Sequence, residues 1–161
     1  RGSRSTNRRI RMNTKKAVDD FLSQKTIALV GLSRKGNHFS NMACKELKKK
    51  GYAVVPVNPS ATEIDGEKCY PDLGSVKDLV DAALIMTPSS HVAAVVQDAA
   101  DNGIKNVWIQ QGAETDEAIE LGNEKGLSLV SGECIMMFAE PTAFLHRFHR
   151  WVWARLGKLP K

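Results

Sequence analysis

Five short apolar runs, separated by segments of helical period, constrain the fold of this chain more than any other feature. They occupy residues 26–30, 53–57, 82–86, 106–110 and 127–130. Each is near-continuously apolar, the pattern of a strand covered by helices on both faces. Strand–helix alternation repeated in this way predicts an α/β fold, a Rossmann-like doubly wound parallel five-stranded sheet in three layers with right-handed crossovers. The 161 residues are enough for one such domain with its own core.

The intervening segments carry helix signals. Thr14 can cap a short helix whose Val18, Phe21 and Leu22 share a face. A second helix runs from about Ser40 to Lys50, with Phe39, Ala43 and Leu47 four apart and Gly51 closing it. Pro88 suits the first turn of a third, where its missing N–H costs nothing. Val92, Val95, Val96 and Ala99 form the stripe of that helix, and Gly103 stops it. Thr115 can cap a fourth, with Asp116 and Glu117 at its positive end. Residues 60–75, with Gly66, Pro71 and Gly74, read as a loop.

In such sheets ligands sit at the carboxyl ends of the strands, near the switch in strand order. Those ends are Gly31-Leu32-Ser33, Asn58-Pro59, Thr87-Pro88, Gln111-Gly112 and Ser131-Gly132-Glu133-Cys134. The first carries the sharpest signal. In KTIALVGLSRKG a strand turns at Gly31, through Leu32, Ser33, Arg34, Lys35 and Gly36, into a helix. Bare backbone N–H groups at the positive end of a helix can cradle a phosphate. The motif G-x-S-x-x-G is one residue away from the dinucleotide fingerprint.

The second strand end bears on which cofactor is held. An NAD site wants an acid there, to accept from the ribose hydroxyls. Here the strand ends in Val57-Asn58-Pro59, and the nearest acids, Glu63 and Asp65, lie beyond it. Arg34 and Lys35 sit in the phosphate loop instead. Together these disfavour a bare ribose diol and favour an adenosine with an extra phosphate, which leaves coenzyme A and NADP open. Asn58-Pro59 can also be a plain strand terminator, and Thr87 a helix starter. Trp108 reads as core packing rather than cofactor stacking.

The same residues carry a family resemblance. GLS at 31–33, VVPVNP at 54–59, G-x-x-x-Y-P-x-L at 66–73, M-T-P at 86–88, VWIQQG at 107–112 and Cys134-Ile135 occur in that order. Over about residues 25–137 the chain resembles the stand-alone CoA-binding domain proteins, relatives of the N-terminal domain of the succinyl-CoA synthetase α subunit. The resemblance implies a Rossmann-like domain that binds CoA or an acyl-CoA, with the adenosine near Asn58-Pro59 and the pyrophosphate over Gly31 to Lys35. It also implies that the region after Thr87-Pro88, Val92 included, borders the same cleft. The expected binding residues are therefore Gly31, Leu32, Ser33, Arg34, Lys35, Asn58, Pro59, Thr87, Pro88 and Val92.

Catalysis has less support. Acyl-CoA ligases of the related class use a phosphorylated histidine on a separate domain and a nucleotide-grasping partner, and 161 residues leave room for neither. His38, His91, His146 and His149 show no pairing with acids at catalytic spacing, although His38 lies near the phosphate loop. Cys134 is the one tempting nucleophile, since the resembling domains have a cysteine at this place in the cleft. A buried, inert thiol is the alternative, because no adjacent His or cation is visible to lower its pKa. No metal-ligand spacing occurs. A non-catalytic, regulatory CoA-binding module is expected, with an NADP-binding redox protein as the alternative.

The net charge of +5 resides in the tail, where Arg1, Arg4, Arg8, Arg9 and Arg11 occur without an acid; apart from them the charge is zero. Residues 1–11 read as a disordered or tag-derived tail ahead of Met12, a targeting segment or a basic arm. With the body neutral, no nucleic-acid partner is expected. Cys44, Cys69 and Cys134 are widely spaced and odd in number, which fits a reduced, cytoplasmic protein. No apolar run approaches the about 18 residues needed to span a bilayer. From Pro141 a basic, aromatic-rich amphipathic helix follows, with Leu145, Phe148, Val152 and Leu156 on one face. Residues 138–161 thus form a third unit that docks on the domain, a dimer mate or a partner protein, with an anionic membrane as the other candidate surface.

Overall fold

The computed structural model describes residues 14–138. The expected basic tail and the helix from Pro141 lie outside the described residues. Five parallel strands form one sheet: β1 (Thr26–Val30), β2 (Ala53–Val57), β5 (Ala82–Ile85), β6 (Asn106–Gln110) and β7 (Ser128–Glu133). Their order is β2-β1-β5-β6-β7. The chain moves outward from β1 to β2, then returns to the other side of β1 with β5, so the switch in strand order falls between β1 and β5. Pro56, which cannot donate to a ladder, is tolerated because β2 is an edge strand.

Side chains alternate between two cores. Ile27 and Leu29 of β1, Ala82 and Leu84 of β5 and Trp108 of β6 face one helical layer, formed by α1 (Lys15–Leu22) and α2 (Phe39–Lys49). Ala28, Val30, Ala83, Ile85, Val107 and Ile109 face the other, with Val92, Val96 and Ala99 of α3 (Ser89–Asp101) and Ala118 of α4 (Asp116–Glu124). Both faces are apolar because both are covered, which is why the strands read as continuous apolar runs. Trp108 is fully buried, as expected, with Phe21 edge-on at 5.3 Å and Phe138 at 5.6 Å. Its indole N–H donates to the Glu133 carbonyl at 2.9 Å.

Helix starts follow the side-chain chemistry. Thr14 Oγ1 accepts from the Ala17 N–H at 3.0 Å, and Thr115 Oγ1 from the Ala118 N–H at 3.1 Å. Four details differ from the expectations. Pro88 is the N-cap of α3 rather than part of its first turn. Phe39 begins α2 but is 45% exposed; the buried face is Ala43, Cys44 and Leu47, with Ser40 and Asn41 buried in its first turn. β7 continues through Ser131, Gly132 and Glu133, because a register shift after Trp108 lets Gln110 pair with Glu133. The expected loop 60–75 holds a hairpin, β3 (Glu63–Ile64) and β4 (Glu67–Lys68). Its turn is Asp65-Gly66, with φ of 52° and 80°, the pair of positive angles a two-residue hairpin turn requires.

Candidate functional site

The carboxyl ends of β1, β5 and β6 open into a cleft of about 520 Å³. Gly31 sets its floor. Its φ is +96°, and a Cβ there would lie 2.8 Å from the Met86 carbonyl carbon and 2.9 Å from Thr87 N. Only glycine lets β1 turn while pressed against the end of β5. The Gly31 N–H donates to the Val57 carbonyl at 3.0 Å, and the Met86 N–H to the Val30 carbonyl at 2.8 Å. The ends of β2, β1 and β5 are thereby locked together beside the switch point.

The loop from Gly31 to Gly36 is held from behind. The buried Ser40 hydroxyl accepts from the Ser33 N–H at 3.1 Å, and Asn41 Nδ2 donates to the Ser33 carbonyl at 2.9 Å. The Ser33 hydroxyl accepts from the Lys35 N–H at 3.2 Å, a local turn that curls the loop. Asn41 also accepts from the His38 N–H and donates to the Asp65 carboxylate at 3.4 Å. The backbone N–H groups of Arg34, Gly36 and Asn37 have no acceptor among the described residues. Together with the start of α2, they leave a group of backbone donors at the place where the sequence reading expects a phosphate.

Asn58 joins this loop to the end of β2. Its Nδ2 donates to the Leu32 carbonyl at 2.9 Å, and its Oδ1 accepts from the Ser60 N–H at 2.8 Å. The exposed Arg34 reaches the same place, donating from Nη1 to the Ser60 carbonyl at 3.4 Å. Lys35 and Pro59 are exposed beside it.

Across the cleft stand Met86, Thr87, Pro88 and Ser89, where α3 begins. Thr87 Oγ1 is buried and has no partner among the described residues, so it does not cap α3. Gln110 closes the far side: it is buried, donates to Cys134 Sγ at 3.1 Å and accepts from the Ile135 N–H at 3.1 Å. Cys134 is a partly exposed free thiol packed against the α1–α2 core. Burial pushes the Cys44 and Cys69 thiols up from their ordinary range, which keeps both protonated and inert. Burial likewise raises the Glu133 carboxyl. Among the described residues no group of three His, Cys, Asp or Glu side chains could hold a metal ion.

Of the sequence-expected residues, Gly31, Ser33, Thr87 and Pro88 line this cleft. Arg34, Asn58 and Pro59 gather at its β2 side, while Lys35 is exposed on the loop. Leu32 offers only its carbonyl, since its side chain is buried in the core. Val92 is not brought there; it is fully buried beneath α3, in the core between that helix and the sheet. The additional lining residues include His38, Phe39, Ser40, Gln110, Gln111 and Ala113. Ser40 could have been found from its pattern, because it and Asn41 are polar where the apolar face of α2 should begin.

The sequence profile of the CoA binding domain family matches residues 25–140. The chain belongs to the CoA-binding domain family. Among relatives, this CoA-binding domain is 29% identical to the uncharacterized protein YneT of Bacillus subtilis, over 76% of this chain and 91% of that one. It is 30% identical to the ADP-forming acetate–CoA ligase II of Archaeoglobus fulgidus, over 68% of this chain but only 18% of the ligase. The chain thus spans nearly all of YneT and about a fifth of that ligase. A hypothetical protein from Pyrococcus horikoshii OT3 has a similar solved structure, with a TM-score of 0.70 and 34% identity, covering 76% of this chain and 87% of that one. The family match extends through every strand end that forms the cleft.

Proposed function

We propose that this domain binds coenzyme A or an acyl-CoA along the carboxyl edge of its sheet, as a regulatory or carrier module rather than an enzyme. The observation that carries this reading is the Asn58 bridge between the Gly31-led phosphate loop and the end of β2, with Arg34 and Lys35 exposed beside it. The loop N–H groups would hold the pyrophosphate. The β2 side would receive the adenosine with its extra phosphate. The unpartnered Thr87 hydroxyl and the amides of Gln110 and Gln111 suit the alternating amide and apolar character of a pantetheine arm, as do Phe39, Met86 and Ala113. Bound CoA would supply a thiol that carries an acyl group as a thioester.

Apart from the imidazole of His38, the groups lining the cleft are amides, hydroxyls, apolar side chains and backbone, which bind and orient rather than move protons near neutral pH. The three cysteines suit a reducing, cytoplasmic setting. Thermal unfolding with CoA, NADP or NAD tests the cofactor. A ligand at 100 times its Kd adds about 2.7 kcal/mol of stability. CoA is expected to raise the melting temperature while NADP and NAD leave it unchanged. A rise with NADP alone would replace this reading by a redox role. Acetyl-CoA incubated with the protein is expected to release no free thiol above the buffer rate; release above that rate would make the domain an enzyme.

A further inference from the structure

We infer that Arg34, held in place by Asn58 and Ser60, selects ligands bearing a phosphate on the adenosine ribose, and that Lys35 does not. This rests on the CoA reading above and assigns its specificity to one cation. Four residues close a ring between two loops. Leu32 is tied to Asn58, Asn58 to Ser60, and Ser60 to Arg34, which lies two residues from Leu32. The ring fixes the width of the gap at the β2 end and keeps the guanidinium across it.

Both ends of the Asn58 amide are taken by protein, so Asn58 acts through Arg34 as a positioning residue. Arg34 uses one of its five N–H donors on the Ser60 carbonyl, and no carboxylate pairs with it among the described residues. The remaining donors form a fork suited to a phosphate monoester. Asp65, on the hairpin that follows β2, is engaged by Asn41. Lys35 is exposed, and no bond ties its ammonium to the β2 end. It contributes a mobile charge felt by any anion in the loop.

Titration calorimetry with CoA and dephospho-CoA tests this. The wild-type protein is expected to prefer CoA by about tenfold or more, as one charge-assisted contact supports. Arg34→Ala and Asn58→Ala should each bring that ratio close to one. Lys35→Ala should weaken both ligands alike and leave the ratio intact. A merely structural Asn58 would weaken both ligands equally, so an unchanged ratio in Asn58→Ala overturns its positioning role. A ratio that survives Arg34→Ala, or that Lys35→Ala abolishes, overturns the assignment to Arg34.

Should Asn58→Ala fail to fold, Asn58→Ser replaces it, because its hydroxyl can still accept from Ser60 but cannot reach Leu32. Phosphorus NMR gives an independent readout. The ribose phosphate of bound CoA should titrate below its free value near pH 6 in the wild type and return to it in Arg34→Ala. An unshifted titration in the wild type overturns the inference. If the wild type binds neither ligand, the CoA reading itself fails. If it binds both equally, only this inference does.

Discussion

Gly31 and Gly51 share a φ of +96° but not a surrounding, and the pair isolates what holds the cleft floor together. A methyl group added at Gly51 would meet nothing within 4 Å, whereas one at Gly31 would face the Met86–Thr87 peptide at 2.8 to 2.9 Å. Gly51→Ala therefore suffers only the backbone penalty, about 1–2 kcal/mol. Gly31→Ala suffers the same penalty and must also part β1 from β5, against backbone atoms that cannot swing aside. Overpacking of this kind adds about 1–3 kcal/mol, for a total of about 2–5 kcal/mol. At about 2–4 °C per kcal/mol for a protein of this size, Gly31→Ala should melt on the order of 10 °C lower than wild type. Gly51→Ala should lose roughly half as much or less. Thermal unfolding by circular dichroism measures both, and urea midpoints check the ranking. Equal losses in the two variants would refute the claim that strand-end contact, rather than backbone conformation, is what demands glycine at position 31.

Gln110→Leu keeps the volume but leaves the buried Ile135 N–H without its acceptor, so chemical denaturation should show a loss of about 1–3 kcal/mol. Glu133 gives a pH signature. Its carboxyl is raised above its ordinary value near 4.5 by burial, so the folded state holds the proton more tightly than the unfolded chain. Its stabilising effect is present below the unfolded value and is lost as pH rises through the raised folded value. Glu133→Gln should therefore melt higher than wild type at neutral pH and show a smaller decline between mildly acidic and neutral pH; an identical pH profile would contradict this.

The sequence discloses the sheet well because two-sided burial leaves a simple trace. β1, β2 and β6 coincide with their apolar runs, and the caps at Thr14 and Thr115 form as their side chains predict. Tertiary contacts changed the rest. β7 runs past its apolar stretch because pairing with Gln110 and the Trp108 bond to the Glu133 carbonyl hold polar residues in the strand. The β3–β4 hairpin did have a local signal, Asp65-Gly66, but its strands are two residues each, too short for periodicity. At the site, the glycine loop and strand ends were legible because backbone geometry at a switch point follows from topology. The burial of Val92 was legible in the apolar stripe it shares with Val96 and Ala99, and only its placement at the cleft, taken from the resemblance, differed. The bridge made by Asn58 was hidden: its bond to Leu32 appears only once the two loops are adjacent, although the turn it makes with Ser60 is local.

The central claim is that CoA lies across the carboxyl edge at the Gly31 switch point. Amide chemical shifts recorded during CoA titration test it most directly. The largest changes are expected at residues 31–35, Ser60, Thr87, Gln111 and Gly112, with little change in the groove between α1 and α4 at Lys16, Asn123 and Ser128. Changes confined to that groove, with the Gly31 loop silent, would contradict it.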